Sequence, residues 1–343
     1  MRRYLPLLLI SVFLLTLVLA GSTILAGYAG NRKADVKSLT VYTTLPVEQV
    51  AVLGQEFEKT SNIKVNIIPL TDKDLLTRLK VESASPRADL VLASRDVLVE
   101  AKKLNAFAVY TTEETDLIPE RFKDNDDNWI GLWFDPIVFA VNLDALKNMP
   151  NQPSRWADLG KEPRLRLAMT DFLAAEASET LLNTMTSIHG EEKTLAYLKT
   201  IHPQIVQYAK FLATPVRMAG MGEADLAIAV HSEALRYIND GFPLKIIYPE
   251  EGTAFWLAGA GLVQKALHAA EAKQFLAWLI TDNAQATLQK NRYYFIPTNP
   301  ELLTYRNYAA KNLKLWDYTA TMTREQKNKL LDKWVQSVRF SPK

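Results

Sequence analysis

Residues 4–30 carry no charged side chain and are dominated by Leu, Ile, Val and Phe, and the rest of the 343-residue chain alternates short strand-like runs with longer helix-like runs. Arg2 and Arg3 precede the apolar segment, and Asn31, Arg32 and Lys33 follow it. A positive stretch ahead of an apolar core is the pattern of a secretory signal. Ala20, Gly21, Ser22, Ala26, Gly27 and Ala29 offer small residues for a cleavage site. About 20 apolar residues also suffice to span a bilayer. Residues 1–30 therefore read as a signal peptide or as an N-terminal membrane anchor, with residues 4–29 as the tether. In the second case the arginines hold the N-terminus in the cytoplasm. Both readings place the remaining chain outside the cytoplasm, in the periplasm. No later apolar run is long enough to span, so a multi-pass protein is not expected.

The chain has no cysteine, which excludes disulfides, thiolate catalysis and cysteine-ligated metals. Forty basic residues stand against 38 acidic ones, and no basic block is interleaved with aromatics, so no nucleic-acid partner is expected. The four histidines, His189, His202, His231 and His268, are scattered without metal-ligand spacing. There is no Gly-x-Ser-x-Gly turn, no glycine-rich phosphate loop and no His-Glu-x-x-His pattern. The expectation is a protein that is not an enzyme, with no cofactor and no metal. An exported enzyme built on a carboxylate pair is the remaining catalytic alternative, since such pairs leave no sequence signature.

After the leader, 38–43 alternates and is β-branched, which predicts a strand. Pro46 suits a first helical turn, and Val47, Val50, Leu53 and Phe57 recur at helical spacing. A second strand over 64–70, a helix over 73–83 and a continuous apolar run over 90–93 complete a βαβαβ unit. Such a run suits a strand buried on both faces of a parallel sheet, and crossovers of this kind imply an open sheet covered by helices. Residues 111–128 read as a polar surface loop. Strands are expected at 129–134, 137–142, 165–169, 205–208, 226–230, 245–248 and 255–263. Helices are expected at 174–189, 191–201, 215–221, 233–239, 269–280, 283–289 and 324–338.

Eight segments, in order, resemble the periplasmic solute-binding proteins of ABC importers, extracellular family 1, the type that includes ferric-iron, phosphonate and sugar-phosphate binders. They are LTVYTT (39–44), FEKTSNIKV (57–65), PRADLV (86–91), WIGL (129–132), PVR (215–217), GEADLAI (222–228), YPEEGT (248–253) and IPTNP (296–300). The resemblance implies an α/β, two-lobed periplasmic-binding-protein fold, type II-like, with two open, mostly parallel sheets joined by crossing hinge strands. Lobe 1 is expected from residues 38–136 plus 259–343, lobe 2 from 137–258, with crossings near 134–139 and 254–261. It further implies a small-molecule solute held between the lobes, and a monomer that delivers it to an ABC permease in the inner membrane. A tethered sensory receptor working with a membrane kinase is the alternative built on the same fold.

Ligands in open α/β sheets sit beyond the carboxyl ends of the strands, where helix N-termini present free N–H groups. The candidate ligand-binding residues are taken from those positions. Thr43 and Thr44 follow the first strand, and Ser94 follows the third. Thr170 and Asp171 end the strand at 165–169, and Thr214 and Arg217 open the helix at 215–221. His231 and Ser232 follow the strand at 226–230, and Thr253 precedes the return strand. Ser94, Thr44 and Ser232 also suit plain helix caps. The resemblance implies adjacent tyrosines at the 230–232 junction of ferric binders, and His231 and Ser232 stand there instead. Tyr293 and Tyr294 are adjacent but read as packing beside Phe295. The iron site is therefore not carried over, although a ferric-binding protein stays as an alternative. Arg217, His231 and the hydroxyls suggest a small polar, anionic solute of organophosphate or phosphonate type.

Overall fold

The computed structural model describes residues 37–311, 313–317 and 322–342. The expected leader or anchor, 1–30, lies outside them. Among the described residues no helix is long and apolar enough to cross a membrane.

One strand organises the chain. β4 (Ile130–Asn142) is buried along all 13 of its residues. The two strands expected at 129–134 and 137–142 are thus continuous. Its first half, up to Pro136, pairs antiparallel with β9 (Phe255–Leu262) and with β10 (Ile296–Pro297). Its second half, from Ile137, pairs antiparallel with β7 (Leu226–Val230) and β8 (Leu244–Ile247). On the first side, β1 (Ser38–Thr43) lies parallel between β2 (Lys64–Pro69) and β3 (Leu90–Ser94), and β3 meets β9. On the second side, β5 (Leu167–Thr170) lies parallel between β6 (Ile205–Ala209) and β7. The result is a curled mixed sheet with the order β2-β1-β3-β9-β4-β7-β5-β6. Two parallel halves flank an antiparallel centre, and helices cover both faces. This is the α/β, two-lobed architecture expected.

Asn142 stops β4 by satisfying a helix start. Its Oδ1 accepts from Asp144 N at 2.9 Å and Ala145 N at 3.0 Å, while its Nδ2 donates to Ala219 O at 2.8 Å. Capping of this kind contributes about 1 kcal/mol.

The lobes own separate cores. The first gathers Leu39, Val41, Leu53, Phe57, Leu92, Phe134, Phe255 and Phe275, with Phe57 and Phe275 in ring contact at 4.9 Å. The second gathers Phe139, Leu167, Leu181, Leu226 and Ile228. It also takes Trp316, Leu330, Leu331, Trp334 and Val338. The helix Arg324–Trp334 therefore packs in lobe 2, so this end of the 259–343 segment departs from the expected placement in lobe 1, while its earlier part, with Phe275, Ile296 and Tyr308, lies in the first core. An amphipathic helix shows which face is apolar but not which core receives it.

Among the described residues the chain passes between lobes three times. β4 crosses at Pro136 and Ile137. The second crossing lies at 253–255, where Ile137 N donates to Ala254 O at 2.9 Å and Thr253 Oγ1 donates to Ile137 O at 2.7 Å. The crossing expected near 254–261 narrows to the start of that range, because β9 lies wholly in the first sheet. The third pass runs beside Thr253, whose N donates to Lys314 O and whose O accepts from Trp316 N. Gly252 makes room for it: at φ 112° its Cβ position falls 2.8 Å from the Trp316 ring. Few residues other than glycine adopt that backbone conformation.

Trp334 is fully buried and lies edge-on to Phe172 at 4.8 Å. Trp334→Ala is expected to destabilise the protein by about 3–5 kcal/mol, read as a lower urea midpoint. A change within about 0.5 kcal/mol, typical of surface sites, would place the helix outside the lobe 2 core.

Candidate functional site

The carboxyl ends of β1, β3, β5 and β7 converge on a cleft beside the crossings. A cavity of about 620 Å³ lies there, lined by Thr44, Leu45, Pro46 and Gln49 from the first lobe edge and by Asp135 and Trp256 from the central strands. Glu176, Leu212, Ser232, Glu233 and Arg236 line it from the second lobe, with Arg292, Tyr293 and Phe295 from the loop before β10. It shares Asp72, Ala175 and Glu176 with a wider cavity of about 1360 Å³ that reaches Arg95 and the C-terminal helix.

Asp135 is the residue before the β4 crossing. It is 3% exposed, and its carboxylate accepts from Ser232 N at 2.9 Å and from Ser232 Oγ at 2.5 Å. Burial pushes its pKa up to about 7 against those two donors, and Glu233 adds to the rise. Glu176 opens the helix Glu176–His189, half-buried, and accepts from Trp256 Nε1 at 3.0 Å. Burial raises it too to about 7; its polar neighbours Ser94 and Trp256 act the other way, and Asp96 and Asp72 add to the rise. Each of these bonds joins one lobe to the other.

Both arginines on the cavity wall face carboxylates: Arg236 pairs with Glu233, and Arg292 with Asp240. Among the described residues Asp72, Asp135 and Glu176 form no ion pair. The cleft is therefore rich in carboxylate, and Trp256, Tyr293 and Phe295 give it an aromatic wall; Tyr293 and Phe295 stack at 6.3 Å. No three His, Asp or Glu side chains come together as a metal site among the described residues.

Of the residues expected from sequence, Thr44 and Ser232 line the cavity. Ser94 is buried at the end of β3 next to Glu176. Thr43 is fully buried, and its Oγ1 accepts from Leu45 N at 3.0 Å, so it shapes the loop. Thr170 is buried at the end of β5. Asp171 binds Arg339 at 3.0 Å and accepts from Leu173 N, which ties the C-terminal segment to lobe 2. Thr214 is half-buried on the helix Ala213–Gly220 and is not on the cavity wall.

Three expected residues lie off the cavity wall. Arg217 lies exposed on that helix and faces Met221 Sδ at 3.2 Å and Glu223 at 3.9 Å, away from the cavity. His231 is 1% exposed, stacked with Tyr248 and edge-on to Tyr308. Burial first, and then the charge of Lys311, push its pKa down to about 3, so it is a neutral core histidine. Thr253 is fully buried at the crossing, with its hydroxyl on Ile137 O. Sequence reasoning did not single out Asp135, Glu176, Gln49 and Trp256, which line the cavity. Asp135 carried one usable signal, a carboxylate in an otherwise apolar strand.

Comparison with known proteins agrees with this fold. The family model for bacterial extracellular solute-binding proteins matches residues 85–321, more than half of the chain. The chain belongs to this family. This solute-binding protein is 24% identical over 326 residues to the iron uptake protein A1 of Synechocystis, covering 87% of this chain and 89% of that one. It is 23% identical over 279 residues to the spermidine/putrescine-binding periplasmic protein of Escherichia coli, covering 77% and 78%. In fold it resembles the periplasmic binding protein AfuA from Actinobacillus pleuropneumoniae, determined with fructose-6-phosphate bound. The TM-score is 0.70 at 23% identity, covering 89% of this chain and 99% of that one. Family membership makes it an extracytoplasmic receptor for a small solute and a partner of an ABC permease.

Carboxyl groups that stay protonated in the fold up to about pH 7 bind more protons there than in the unfolded chain, where the ordinary value for Asp is 3.8 and for Glu 4.5. Their contribution to stability is full at acid pH and falls as pH rises to about 7. Asp135→Asn is expected to flatten this decline in urea titrations of the unliganded protein. An unchanged slope would mean that Asp135 ionises normally. Arg217→Ala is expected to leave stability within about 0.5 kcal/mol and solute affinity unaltered; weaker binding of the co-purified solute would return Arg217 to the site.

Proposed function

We propose that the protein is the solute-binding component of an ABC importer, not an enzyme, and that its solute carries a positively charged amine. One observation carries the reading: Asp135 and Glu176 line the cleft with neutral donors as their hydrogen-bond partners and carboxylates nearby, and among the described residues neither forms an ion pair. A carboxylate held in such surroundings is disfavoured until a cation arrives. The aromatic rings of Trp256 and Tyr293 on the cavity wall suit the same charge through cation–π attraction. The spermidine/putrescine-binding relative has a name that accords with this chemistry. The solute lies between the lobes, and closure on it forms the surface that the permease reads.

The anionic solute expected from sequence now rests on Arg236, whose Nε has no hydrogen-bond partner among the described residues. AfuA with its fructose-6-phosphate favours this second reading. Glu233 already offsets the charge of Arg236, which places it behind the amine. Ferric iron ranks lower still: burial, and then Glu48, raise the Tyr293 phenol and oppose the phenolate that iron would need.

Native mass spectrometry of residues 31–343 purified from the periplasm is expected to show a retained amine. Its affinity is expected to rise from pH 6 to pH 8, because binding a cation requires the charged forms of groups that titrate at about 7 in the free protein. Asp135→Asn is expected to weaken binding on the order of tenfold to a hundredfold. A retained sugar phosphate, with affinity falling as pH rises, would replace the amine by the anionic reading.

A further inference from the structure

Gln49 is out of character with its surroundings. It sits in the first turn of the helix Val47–Ser61, on the face that buries Val50, Leu53, Gly54 and Phe57. It is 1% exposed, yet its Nε2 has no hydrogen-bond partner among the described residues. Buried amides are nearly always satisfied, and leaving one unmet is costly. Gln49 also lines the cleft cavity, together with Thr44, Leu45 and Pro46. No side chain caps this helix, whose N-cap is Pro46. The first N–H groups of a helix have no partner within it and carry the positive end of its dipole. Glu48, in the same turn, is exposed, and its charge reaches Tyr293.

The wall of the cavity is thus polarised. Asp135 and Glu176 supply carboxylates that form no ion pair among the described residues, whereas the edge at 44–49 supplies a buried amide donor and an uncapped helix start. A solute bearing only amines would satisfy the first group and leave the second unmet.

We infer that Gln49 is a specificity residue whose amide donates to an oxygen acceptor on the solute, so that the solute is a zwitterion with an amine at one end and a carboxylate or similar oxygen group at the other. This rests on the amine reading of the same cleft. The oxygen group meets Gln49 at the start of the helix, and the ammonium meets the carboxylates beside the crossing. Gln49 discriminates between solutes by what it would leave unpaired: an amine at that end would abut a donor.

Calorimetric titration with three probes of matched carbon chain tests this: γ-aminobutyrate, putrescine and butyrate. The full-length protein is expected to prefer γ-aminobutyrate to putrescine by about tenfold, the scale of one charge-assisted hydrogen bond. Gln49→Met, of similar length, is expected to abolish that preference, with the loss falling on γ-aminobutyrate. Gln49→Glu, which places a carboxylate against the oxygen end, is expected to reverse it. The thermal midpoint of unliganded Gln49→Met is expected to match or exceed that of the parent, since an unmet buried amide is removed; this separates lost recognition from lost folding. Putrescine binding as tightly as γ-aminobutyrate, or equal losses for both in Gln49→Met, overturns the role of Gln49 and leaves the amine reading standing. Binding of butyrate without either amine overturns both. Failure of all three to bind also overturns the inference, while the amine reading retains its own mass-spectrometric test.

Discussion

Two sheets share one strand, and that sharing governs the molecule. β4 gives its first half to β9 and β10 and its second half to β7 and β8. Neither lobe completes its sheet without it. The change of partner falls at Pro136, which has no N–H to offer, and Ile137 turns its own N–H to Ala254. Thr253 binds the same peptide from the other crossing and is itself held by the third pass of the chain. Bending between the lobes therefore concentrates on a few backbone units. That is the economy of a hinge: a small number of residues absorb the change while the cores stay intact.

The electrostatics of the cleft follow from its place at this crossing. Asp135 is one residue from the change of partner and reaches Ser232 of lobe 2; Glu176 of lobe 2 reaches Trp256 of lobe 1. Both bonds link the lobes through carboxylates that have no basic partner among the described residues. Farther out, Arg292 with Asp240 joins the lobes as an exposed ion pair, and Lys327 with Asp96 as a pair whose lysine is buried. Exposed pairs contribute little, because water and salt screen them. The inner carboxylates are screened far less, so a charge arriving between the lobes acts most strongly on them. On the proposed reading, recognition and closure use the same two side chains.

Much of the fold was legible along the chain. The β-branched alternation of 38–43, the apolar run at 90–93 and the helical spacing of Val50, Leu53 and Phe57 all appear as strand or helix where expected. Asp89, within a family-like segment, proves structural: it accepts from Thr40 N at 2.8 Å and His268 N at 2.8 Å, joining β1 and β3 to the segment after β9. The site was legible in position but not in content. Strand ends led to Thr44, Ser94 and Ser232 at the cleft, and equally to Arg217 and His231, which turn away from it. A helical side chain projects by its angle around the axis, so two residues of one turn can face cleft and solvent.

The sequence by itself determined the alternation of elements, the apolar faces and the family, because periodicity and turn residues are local and act before any long-range contact forms. Tertiary structure alone decided which core takes the helix Arg324–Trp334, that β4 is one strand serving two sheets, and that Asp135, Glu176, Trp256 and Gln49 face one cavity. These residues lie far apart in the chain. Burial, the absence of a counter-charge and an unmet amide are properties of surroundings that exist only once both lobes have packed around the crossing.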